Sequence, residues 1–187
     1  MSRRVRFLLL VVVLLAGGAA VLVVSSQSDL EDRRDRVDAR WSTLRAPLST
    51  RYDHLSALAE ALAAAGASDR TYAEDLAAEL GTWRDLVRSG RPQPGAEAAS
   101  ANRLEGLAVR ARENVAHSAR LSRDPGIAAA LAAFDAALVP PAEVGAYNRA
   151  VRRYQSTRTE TLAQVAADLL GYGTRPVLVV SGGAGGS

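Results

Sequence analysis

The chain has no cysteine and no lysine. Without cysteine there can be no disulfide, no thiolate metal site, no cysteine nucleophile and no lipid anchor of the lipobox type. Histidine is scarce: His54 and His117 are the only two. Neither sits in H-E-x-x-H or another metal-binding spacing, so each reads as a solvated or core-edge side chain. No G-x-S-x-G elbow, Walker A loop or Glu-x-x-His pair is present. The adjacent carboxylates Glu31–Asp32 and Glu74–Asp75 fall on helices, where neighbours point about 100° apart and do not converge as an acid/base pair. The expectation is a protein that is not an enzyme, with no cofactor, no metal and no catalytic residues.

Charge of one sign is also missing over most of the chain. All 23 basic residues are arginine, against 20 acids. Arg3, Arg4 and Arg6 stand at the N-terminus, and the remainder is formally neutral. No dense basic stripe interleaved with aromatics appears, so nucleic acid is not an expected partner.

What the chain has is alanine and leucine. Hydrophobic residues make up 48% and aromatics only 5%. Alanine loses no side-chain entropy in a helix, so an all-α protein follows. The run "VRFLLLVVVLLAGGAAVLVV", Val5 to Val24, carries one charge, at its edge. Twenty helical residues rise about 30 Å, the thickness of a bilayer's hydrocarbon core. The arginines before it place the N-terminus in the cytoplasm and the rest of the chain outside the cell membrane. A cleaved signal peptide is the alternative, because "AGGAA" offers small residues; the continuing "VLVV" argues for an uncleaved single-pass anchor.

Beyond the anchor, apolar positions recur at helical spacing. The first set is Leu30, Val37, Trp41, Leu44, Leu48, Tyr52, Leu55, Ala59 and Leu62, ended by Gly66. Pro47 inside it predicts a kink or the helix's true start. Acid-to-base pairs Asp29–Arg33 and Asp32–Arg36 support its exposed face. A second helix, capped at Ser68 or Asp69, runs to Gly90. A third runs from about Glu97 to Leu121, on the stripe Leu104, Leu107, Ala111 and Val115. A shorter one begins at Pro125 with Asp124 as N-cap. The last runs from about Ala142 to Leu170, with Val144, Tyr147, Val151, Tyr154, Leu162, Val165 and Leu169 on one face. These amphipathic helices pack most simply as an antiparallel four-helix bundle. Three regions result: a cytoplasmic stub and anchor over 1–26, a bundle over 27–173, and a disordered Gly/Ser-rich tail over 174–187.

Tyr147 and Tyr154 are seven residues apart, on one helix face, with Val151 between them. Asn148 lies at the edge of that face, placed to hydrogen-bond a neighbouring helix. Arg51 and Asp53 diverge at i and i+2, so each needs a partner elsewhere. Arg158, in register with Tyr154 and Leu162, either snorkels out or pairs with an acid such as Asp53.

The stretch "YNRAVRRYQ" resembles the signature of the LemA family. "VDARWSTLRAPLSTRYDHLSALAEAL" is similar to that family's first helix at Val37, Trp41, Leu48, Arg51, Asp53, Leu55, Leu58 and Glu60, and "DLLGYG" to its Gly-Phe close. His54, Ser56, Ala57, Gln155 and Pro140–Pro141 depart from the pattern, as in a divergent member. The resemblance implies a membrane-anchored helical bundle and no particular reaction. Trp41, Arg51, Asp53, Leu58, Tyr147, Asn148 and Tyr154 are then the family-motif and helix-contact residues. The function expected is interaction or scaffolding at the cell envelope with a protein partner. The alternative is an extracytoplasmic bundle that senses a small molecule through a separate signalling partner.

Overall fold

The computed structural model describes residues 3–66 and 70–181, without the side chains of 3–27, 70, 161, 162 and 166. Its described residues form six α-helices and no strand. They are α1 (Arg3–Ala65), α2 (Arg70–Arg88), α3 (Pro94–His117), α4 (Pro125–Ala136), α5 (Pro141–Arg158) and α6 (Thr161–Leu169). The side chains of the expected anchor, Val5 to Val24, lie outside the described set, as do the expected caps Ser68 and Asp69. Among the described residues no single helix is long and apolar enough to cross a membrane.

The first apolar stripe does what its spacing predicts. Leu30, Val37, Trp41, Leu44, Leu48, Tyr52, Leu55, Ala59 and Leu62 are all buried in one core. Around α1 the other helices run alternately. α2 is antiparallel to it, since Arg45 reaches Val87 and Ser56 meets Arg84. α3 runs parallel, with Trp41 at Glu97 and Arg51 at Glu105. α4 and α5 descend as one leg, Phe134 beside Arg51 and Tyr147 beside Trp41. That leg is bent by 63° at the proline pair. The legs go up, down, up, down.

Pro47 neither starts nor stops α1, which runs through it. The lost backbone bond is outweighed by the buried residues on both sides, Leu44 and Leu48. Gly66 ends α1 with φ at 131° and Gly171 follows α6 with φ at 66°, backbone angles that favour glycine. Asp124 caps α4 as its position suggests: its Oδ1 accepts from the backbone N–H of Gly126 at 2.8 Å and of Ile127 at 3.1 Å.

Two expectations fail. The last helix is not continuous to Leu170; it breaks between Arg158 and Thr161. Ser156, Thr157 and Thr159 interrupt it with short polar or β-branched side chains, and the hydroxyls of Ser156 and Thr159 bond back to the carbonyls of Arg153 and Ser156. The stripe breaks with it. α6 buries Ala163 and Ala167, while Val165 and Leu169 are exposed. The tail is also not free from residue 174 onward. Residues 172–181 are an extended strap laid along the bundle, with Leu178 buried. Residues 182–187 lie outside the described set.

Replacing Asp124 by Ala should cost about 1 kcal/mol of stability, the usual worth of such a cap. Denaturant unfolding of the full-length chain in detergent, followed by helical circular dichroism, measures it.

Candidate functional site

Asn148, Tyr147 and Tyr154, with Arg51 at one end, meet at the groove between α3 and α5, where the strap lies. Asn148 projects from α5 and grips the strap twice. Its Nδ2 donates to the Leu178 carbonyl, and its Oδ1 accepts from the Leu178 N–H, both at 2.8 Å. Asn102 does the same from α3, giving to the Val177 carbonyl at 2.7 Å and taking from the Val179 N–H at 2.9 Å. Both backbone polar groups of an extended segment are thus satisfied by amides, as a sheet neighbour would satisfy them.

The two tyrosines point the same way. The Tyr147 hydroxyl donates to the Pro176 carbonyl, and the Tyr154 hydroxyl to the Gly173 carbonyl, each at 2.9 Å. Gln155 Nε2 gives to the Arg175 carbonyl at 2.7 Å. Burial pushes both phenols up in pKa, Tyr147 the further. Asn148 was expected to bond a neighbouring helix; it bonds the strap instead.

Arg175 and Leu178 anchor the strap by side chain. Arg175 forks onto Asp38 of α1 at 3.2 Å and passes Gly95, where a Cβ would lie 3.2 Å from its guanidinium. At the far end, Glu105 Oε2 accepts from the Ser181 N–H at 2.8 Å and from its hydroxyl at 2.5 Å.

Glu105 belongs to the centre of the molecule. Arg51 is only 2% exposed. Its Nε and Nη2 fork onto Glu105 at 2.8 and 3.2 Å. Nη1 donates to the carbonyls of Phe134 and Ala137, and Nη2 to that of Ser181 at 2.7 Å. The guanidinium lies 3.7 Å from the centre of the Phe134 ring. One side chain therefore ties α1 to α3, to the C-terminal end of α4 and to the strap. The ion pair is of the kind that a low-dielectric interior makes strong only when every donor is used.

A second buried acid stands two turns earlier on α3. Glu97 Oε2 accepts from Trp41 Nε1 at 2.7 Å, and Oε1 from the Gln93 N–H at 3.0 Å, closing the start of α3. Arg45 Nε lies 2.9 Å from Glu97 without hydrogen-bond alignment, an ion pair by proximity. Trp41 packs its ring against Tyr147, 5.1 Å between centres. Tyr52 stands edge-on to Trp83 at 5.0 Å and donates to the Ala101 carbonyl; burial first, then Glu105, drives its pKa up.

The remaining candidates separate. Leu58 is plain core. Asp53 is exposed beside a small cleft lined by Tyr52, Trp83, Arg84 and Arg88. It does not pair with Arg158, which bonds the Tyr172 carbonyl at 3.1 Å and Asp168 at 3.3 Å. His54 is half-buried and His117 exposed. Among the described residues no three His, Asp or Glu side chains converge as a metal-holding group. Compared with family models, with curated proteins and with solved structures, the chain finds no match.

Glu105→Gln keeps the shape but leaves Arg51 charged and unpaired, and should cost about 3–5 kcal/mol. The double variant Arg51→Met/Glu105→Leu should cost less than that single change; denaturation midpoints of the full-length variants test both. The raised tyrosines make stability depend on alkali. The unfolded chain gives up its phenol protons near pH 10 while the folded chain keeps them, so stability holds below about pH 10 and falls as pH rises toward the folded values. Tyr147→Phe should flatten that fall in unfolding curves taken from about pH 8 to 11.

Proposed function

We propose that the chain is a membrane-anchored, non-catalytic interaction module at the cell envelope, and that the strap groove is its binding element. The observation that carries this is how the strap is held. Asn102, Asn148, Gln155, Tyr147 and Tyr154 all address its backbone, which grips an extended segment whatever most of its side chains are. Arg175 and Leu178 are the main side-chain anchors along the middle of the strap, with the Ser181 hydroxyl on Glu105 at its end, so the occupant chemistry is an arginine followed three positions later by a buried aliphatic residue. A partner's extended segment of that kind would replace the strap, which hangs from α6 by the hinge at Gly171.

The anchoring half of the proposal is supported by the apolar run Val5 to Val24 and the three arginines around its start, a pattern that favours a cytoplasmic N-terminus and a bundle on the other side of the membrane. The resemblance to the LemA family stands on the residues quoted for it, and implies the same anchored bundle. Several of the residues that carry it, Trp41, Arg51, Tyr147, Asn148 and Tyr154, sit at or beside the groove.

The test uses a labelled peptide of residues 172–181 and the full-length chain truncated after Gly171, both in nanodiscs. The peptide should bind the truncated chain and compete poorly against the intact one. Asn102→Ala/Asn148→Ala should weaken binding at least tenfold. Equal binding to that variant, no binding to a folded truncated chain, or loss of helical structure on truncation would leave the strap a structural member only.

A further inference from the structure

Several arginines of the bundle are paired. Arg33, Arg51, Arg103, Arg112, Arg158 and Arg175 each pair with an acid. A surface cleft of about 410 Å³ between α1 and α5 breaks this habit. Arg33, Arg36 and Arg40 line it from α1, and Arg149 and Arg153 from α5; its remaining wall is Ala39, Ala146 and Ala150. No acid lines it. Arg33 is held by Asp29 at 3.0 Å, but Arg36, Arg40, Arg149 and Arg153 make no ion pair and no side-chain hydrogen bond among the described residues. The pair expected between Asp32 and Arg36 does not form; Arg36 lines the cleft instead.

This arrangement is costly as it stands. Arg36 and Arg40 are i,i+4 on one helix, and Arg149 and Arg153 are i,i+4 on the other. Like charges at that spacing destabilise a helix by a few tenths of a kcal/mol each. Here two such pairs also face one another. The alanines keep the wall low, so a ligand can lie within reach of guanidinium groups from both helices. Guanidinium forks match the oxygens of a phosphate two at a time.

We propose that this cleft binds a phosphate-bearing polyanion, held between the arginines of α1 and those of α5. The ligand chemistry is at least two negative charges with oxygen acceptors. It has two sources, the headgroup of an anionic phospholipid or a soluble polyphosphate. Arg33 lies nine residues past Val24, about 14 Å along a helix from the end of the apolar run. A headgroup is therefore within range of the lower arginines, and a soluble anion of all five. The site is separate from the strap groove and stands without it; only its lipid source rests on the proposed anchoring.

The probes are tripolyphosphate, and nanodiscs containing phosphatidylglycerol or phosphatidylcholine. The full-length chain and Arg40→Gln/Arg149→Gln/Arg153→Gln are compared. In low salt the triple variant should be at least as stable as the wild type, because repulsion is relieved. Tripolyphosphate should raise the wild-type unfolding midpoint, with at least tenfold weaker apparent affinity in the variant. A rise with phosphatidylglycerol over phosphatidylcholine, lost in the variant, assigns the lipid source; a rise with tripolyphosphate alone assigns the soluble one. The proposal fails if neither probe acts. It fails as well if sulfate at equal ionic strength does as much, if the variant responds like the wild type, or if it is less stable without any anion.

Discussion

The guanidinium of Arg51 is the constraint on which the bundle's arrangement depends. A charge this deep in an alanine-rich core is tolerable only if its donors are all answered. Glu105 answers with its charge, and the ends of α4 and the strap answer with carbonyls. That requirement fixes where α4 must stop: Phe134 and Ala137 present carbonyls there because the helix ends at Ala136. It fixes how far the strap must reach. The apolar residues of α1 could pack in several neighbouring registers, but only one brings Arg51 level with Glu105. Specificity of register is a recognised use of a buried polar group, and here it extends to a segment with no secondary structure of its own.

The strap explains an otherwise odd feature of the packing. α3 leans on α2, yet α3 and α5 are bridged through residues 172–181. Small side chains leave a wide seam between those legs, and an extended backbone fills it. An extended segment brings unsatisfied N–H and C=O groups into the seam. The asparagines, glutamine and tyrosines of α3 and α5 are what makes that possible. A purely apolar seam of the same shape would reject the same backbone.

Much of the fold was legible in the sequence. The stripe of α1, the glycine stops, the Asp124 cap and the tyrosine face are all read correctly from period and local chemistry. The buried acids were the missed signal. Glu97 stands seven residues before Leu104, and Glu105 directly beside it, so both fall within the apolar face of α3. An acid in phase with an apolar stripe needs a cation from elsewhere, and Arg51 on α1, itself without a local acid, is that cation. The strap at 174–181 escapes composition because a segment held by its backbone leaves little trace in its side chains. The arginine cleft was invisible for another reason: its members come from two stretches over a hundred residues apart, and only the fold brings them together.

The first helix carries a mechanical consequence. It is one uninterrupted rod from Arg3 to Ala65, and Leu30, the first core residue, comes six positions after Val24. On the proposed anchoring, no slack linker separates membrane from domain. A tilt of the rod by about 20° would sweep its distal end sideways by roughly 20 Å, taking the cleft and the groove along the same arc. Bilayer thickness would then act as a steering input, setting the compass direction in which both surfaces face their neighbours.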